Sequence, residues 1–298
     1  MTSEEKRYQS SGKILNDKEI QKLDRSRDGR LQTLLGPIVI LISVVLLVVG
    51  IVLLCTSEKV NTNSSFRAGI ALLAVGAIAL LFTLMVYLSW LKARKKPSEY
   101  ALELTMRSGI SQSLKIKTEI ELNPMVRSDT FRKMGFENLN IGTPLSQVTW
   151  VGKDKLAVSV LEFKENPDRP DAFVGTAVVA SNLGYTLETP VDLESTPRAL
   201  DSSFDSNFTV EATQEQRDLL LTPKRIEGLL ELRAECPDGI RARFFSSEAV
   251  FLLKGYSLGI KRTVVREGHG IYAATYENSK EAGTRLATLI SMLDLNRQ

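Results

Sequence analysis

The amino-acid sequence predicts an α+β domain attached to a two-helix transmembrane hairpin. Three observations lead there. Two long uncharged apolar runs, Gly36 to Cys55 and Ala68 to Leu91, lie close together. At a rise of about 1.5 Å per residue, about twenty helical residues cover the roughly 30 Å of a bilayer's hydrocarbon core. Basic residues gather at the outer ends of both runs. Beyond them, short β-branched segments are separated by two helical blocks, without the regular alternation of a parallel α/β fold. The expected division is a cytoplasmic N-terminal segment over 1–33, a first span over 34–55, an external loop over 56–67, a second span over 68–91, and a cytoplasmic α+β domain over 97–298.

In chain order, residues 1–12 are polar and carry no periodic pattern. Asn16 with Glu19 has the spacing of a capping box, opening a short linker helix that carries Ile20 and Leu23 and ends by Gly29. The first apolar run is not a cleaved signal: it starts after some 33 residues that include six acids, its core is too long, and no A-x-A follows it. Lys13, Lys18, Lys22, Arg25, Arg27 and Arg30 precede it, and Lys92, Arg94, Lys95 and Lys96 follow the second run, whereas the connecting loop holds only Lys59 and Arg67. The excess of basic residues on one side predicts a multi-pass protein of the cell membrane with both termini in the cytoplasm. Tyr87 and Trp90 stand where interfacial anchors are expected, beside the Lys92–Lys96 cluster. That cluster reads as a stop-transfer signal ahead of specific lipid recognition.

Small residues recur every seven positions in both runs: Gly36, Ser43 and Gly50, then Gly69, Gly76 and Thr83. A seven-residue repeat keeps one stripe facing one partner helix, where small residues permit close backbone approach. Pairing Cys55 with Ala68 sets Gly50 against Leu73, Ser43 against Leu80, Gly76 against Leu47 and Gly69 against Leu54. The same stripe could serve self-association between chains.

Within 97–298, Pro97 and Ser98 open a helix carrying Tyr100, Leu102, Leu104 and Met106, and KIKTEIELNP stays ambiguous. VRSDTFRKMGF predicts a short capped helix ending near Gly135. QVTWVG, KLAVSVLEF and AFVGTAVVAS read as strands, the first two joined by a turn at VGKDK and the second pair by the loop ENPDRPD. Residues 191–212 read as a polar loop ending in the strand NFTVEA. Thr213 caps one helix and Thr222-Pro223 starts another, with Pro at the first helical position. IRARFFSS and AVFLLKG form a hairpin. Ala282, Leu286, Leu289, Ile290 and Leu293 share one face of a final helix from about Glu277 to Leu295.

Charge and motifs bound the function. Residues 1–34 hold eight basic and six acidic groups, and residues 35–96 hold six and one. Residues 97–298 are left with 24 basic and 28 acidic groups, a formal net of −4. Nucleic-acid binding needs a basic face, so nucleic acid is rejected as a partner. The two cysteines, Cys55 and Cys236, form neither a disulfide framework nor a zinc-ligand spacing. The one histidine, His269, lies between two glycines and reads as a loop residue. Glu165, Asp168 and Asp171 read as a solvated loop ahead of a cation site. No phosphate-binding loop, dinucleotide fingerprint or nucleophile elbow occurs. No catalytic, cofactor-binding or metal-ligating residue is assigned.

Two stretches carry a resemblance: AFVGTAVVAS (172–181), and FDSNFTVEATQEQRDLLLTPKRIEGLLEL followed by IRARFFSSEAVFLLKG between Phe204 and Gly255. The chain resembles an uncharacterised, mainly bacterial membrane protein family, a domain of unknown function with two N-terminal transmembrane helices and a cytoplasmic α+β domain. The resemblance implies that architecture and no activity. The expected function is therefore a membrane-anchored protein-interaction or scaffolding module, with the lipid bilayer and a protein partner or a second copy as its contacts. A membrane-tethered hydrolase or transferase, or an accessory subunit of a transport assembly, stands as the alternative.

Overall fold

The computed structural model describes residues 14–28, 38, 40–45, 47–52, 55, 69–71, 73–78, 80–85, 99–126, 131–132, 134–152, 155–197, 202–260 and 270–295. The chain divides into two units, Met1–Ser11 with Lys18–Glu99 and Gly12–Asp17 with Tyr100–Gln298.

In the first unit, helix α1 spans Asp17–Asp28 from the second unit's Asp17 onward. The helix expected from Asn16 and Glu19 is present, and the Ile20 and Leu23 it carries are buried. The described residues of the two apolar runs are helical. Among the described residues, however, no helix is long and apolar enough to cross a membrane. Apolarity of a run is a partition property. A span also needs about twenty residues in one continuous helix, because peptide groups have no other partner in lipid. This corrects the expected transmembrane hairpin over 34–55 and 68–91, the integral-membrane class, and the multi-pass cell-membrane location with cytoplasmic termini.

The second unit is the expected α+β domain, built on one eight-stranded antiparallel sheet. Its elements are α2 (Glu99–Leu114), β1 (Glu119–Leu122), β2 (Thr143–Val151), β3 (Ala157–Lys164), β4 (Gly175–Ser181), β5 (Leu187–Ser195), α3 (Phe204–Asn207), β6 (Phe208–Glu211), α4 (Gln214–Leu220), α5 (Pro223–Glu235), β7 (Ile240–Ser246), β8 (Glu248–Lys254) and α6 (Ile271–Met292). The strand order is β1-β2-β3-β4-β8-β7-β5-β6. β1 to β4 run as a meander, and β8 joins that meander to the C-terminal strands. Two expectations change. β5 lies where a polar loop was read, since Val191 and Leu193 alternate inward between acids. α6 begins at Ile271, six residues before the expected start.

Strand alternation gives the sheet two distinct faces. One face carries Val148, Val158, Val160, Val178, Ala180, Ala242, Phe244, Phe251 and Leu253, and it buries them against Met106 and Ile110 of α2, Leu229 and Leu232 of α5, and Leu286 and Leu289 of α6. α2 and α6 approach closely at glycine: a Cβ on Gly283 would lie 2.8 Å from Ser113 Cβ and 3.0 Å from Ile110 Cα. The other face is only partly covered. There the segment around 131–141 lays Phe131, Met134 and Phe136 over Leu161, Phe163, Ala177 and Leu252. Phe163 meets Phe131 and Phe173 edge-on, with ring centroids 6.2 and 5.8 Å apart.

Candidate functional site

The partly covered face leaves a trough of about 380 Å³ across β1 to β4. Sheet register builds it. Glu119 pairs with Thr149, Thr149 with Ser159 and Ser159 with Val179, and the next row sets Val151, Ala157 and Ser181 side by side. These short side chains leave a groove where the neighbouring row, Leu161, Ala177 and Leu252, is capped. Gln147 Nε2 donates to Ser159 Oγ at 2.9 Å, and Ser181 Oγ donates to Glu248 Oε1 at 3.2 Å. Lys117 and Glu119 stand at one end. The floor thus offers methyl groups and hydroxyls together, with charge confined to the rim.

The cap is fastened over β7 by Arg243. Its Nε and Nη2 donate to the Asp192 carboxylate at 2.6 and 2.5 Å, and its Nη1 donates to Gly135 O at 2.8 Å. The guanidinium lies 5.7 Å from the Phe136 ring centroid, as does that of Arg241. The Asp192 hydrogen bonds push the Arg243 pKa further up, so it stays charged. Gly135 has a φ of +81°, and a Cβ there would collide with the Arg243 guanidinium.

The residues singled out from the sequence lie elsewhere. Ser43, Gly50, Gly69 and Gly76 are buried and Thr83 is half-buried. A Cβ on Gly50 would sit 2.9 Å from Leu73 Cγ, and one on Gly76 would sit 3.1 Å from Leu47 Cγ. Large side chains on the same segments, among them Leu41, Ile42, Ile78 and Phe82, are exposed. Gly36, Tyr87, Trp90, Lys92, Arg94, Lys95, Lys96 and His269 lie outside the described residues. Glu165, Asp168 and Asp171 are exposed, and Asp171 accepts from Asn140 Nδ2 at 2.9 Å. Among the described residues no group of three His, Cys, Asp or Glu is placed to hold a metal ion. Cys236 is fully buried, and burial, reinforced by Glu235, pushes its thiol up to about 12. At neutral pH it is a thiol, not a nucleophilic thiolate.

No family model, curated protein or solved structure matches the chain.

Proposed function

We propose that the chain is a protein-interaction module that seats a segment of a partner polypeptide in the trough across β1 to β4. The observation that carries this reading is the double row of short side chains left open beside a capped row of the same sheet face. Ala157 and Val179 offer an apolar floor, and Thr149, Ser159 and Ser181 offer hydroxyls to a backbone or amide group. Such a mixture of apolar floor and a few polar groups is characteristic of recognition surfaces. Cys236, buried and protonated, offers a hydrolase or transferase no thiolate nucleophile.

The test is photo-cross-linking in the full chain. A benzophenone amino acid replaces Ser159 in one variant and the exposed Thr288 of α6 in another. In extract of the source cells, the Ser159 position is expected to yield one discrete cross-linked protein that the Thr288 position does not. Adding Ala157→Arg, which fills the floor, abolishes that product. Identical products from both positions, or none from Ser159, would overturn the reading.

A further inference from the structure

On the opposite, helix-covered face, three neighbouring strands place polar side chains in one row. Ser146 pairs with Glu162, and Glu162 pairs with Thr176. Directly opposed residues hold their Cβ atoms about 5 Å apart. All three are shut from solvent, at 1 %, 2 % and 0 % exposure. The loop after β8 closes over them. Ser257 Oγ donates to Glu162 Oε1, Gly259 N donates to the same oxygen at 3.2 Å, and Thr176 Oγ1 donates to Tyr256 O at 2.9 Å. Glu162 Oε2 and Ser146 Oγ are buried with no hydrogen-bond partner. Among the described residues no Lys, Arg or His forms an ion pair with Glu162.

A buried carboxylate needs a compensating charge, and a buried hydroxyl needs a partner. The donor set here is all oxygen, which suits a hard cation. One carboxylate is matched in charge by a monovalent ion, whereas a divalent ion there would leave a buried positive charge. Ser257, which donates to Glu162, is itself exposed, so the row lies directly beneath a surface residue. We propose that Ser146 and Glu162, beneath the Tyr256–Gly259 loop, form a binding site for an alkali-metal cation. Glu162 Oε2 and Ser146 Oγ are its first ligands, and Thr176 Oγ1 lies next in the row.

The experiment measures thermal unfolding of the full chain in LiCl, NaCl, KCl and choline chloride at one ionic strength, with CaCl2 and MgCl2 as further arms. One alkali cation is expected to raise the midpoint saturably by about 2–4 °C over choline. Glu162→Gln and Ser146→Ala are expected to lose that increment. Ser146→Ala keeps the carboxylate and decides the matter if Glu162→Gln fails to fold. Equal midpoints in the four monovalent salts, a rise with the divalent salts alone, or an undiminished rise in Ser146→Ala would overturn the assignment.

Discussion

Cys236 closes α5 as its C-cap, where its N–H donates to Leu232 O at 2.9 Å, and its side chain lies in the main core. Burial raises this thiol from an ordinary 9.0 to about 12, and burial likewise raises the nearby Tyr256 phenol from 10.0 to about 12. Both groups hold their protons more tightly folded than unfolded. Between pH 9 and 12 the unfolded chain has therefore released protons that the native chain retains. Stability from these sites is complete below pH 9 and drains away as pH climbs toward 12. The urea midpoint should be flat from pH 7 to 8.5 and fall steadily above 9. In Cys236→Ala the decline should start nearer pH 10, where tyrosine takes over; an unchanged onset would contradict the account.

Elements with local signatures were legible in the sequence. Thr213 and Gln216 form the capping box that opens α4, and Thr222 caps α5 with Pro223 in its first turn. Those signals act within three or four residues. β5 was hidden because Pro190 and three acids mask the inward alternation of Leu187, Val191 and Leu193. The trough was not legible, because it exists only once the register sets Thr149, Ser159 and Val179 abreast. Glu162 left a trace: it shares the parity of Val158 and Val160 within one strand, so the strand pattern alone turns it inward. At this scale the clamp on the cap gives a direct expectation. Arg243→Ala removes hydrogen bonds to Asp192 and Gly135 and the guanidinium over Phe136. It should lower unfolding free energy by about 1–3 kcal/mol and speed protease cleavage between 126 and 142. Equal cleavage rates in variant and parent would show that the cap is held by its phenylalanines alone.

At the scale of the whole domain, the C-terminal end of α6 is tied to the middle of the chain. Arg225 is 4 % exposed. Its Nε donates to Leu293 O at 3.0 Å, its Nη2 to Asp294 O at 3.4 Å and its Nη1 to Leu220 O. Thr222 Oγ1 donates to Asp294 Oδ2 at 2.8 Å, and Leu293 and Leu295 are buried in the main core. Removing residues 293–298 would strand a buried guanidinium and uncover two leucines. The truncated chain should lose about 3–5 kcal/mol of stability in urea unfolding; a loss under about 1 kcal/mol would show that this end adds little.

The eight strands begin and end in strands of four residues each, β1 and β6. Unpaired backbone at a margin invites another chain to extend the ladder, and short margins leave little room for it. Fibre-like stacking of one copy upon the next is thereby discouraged.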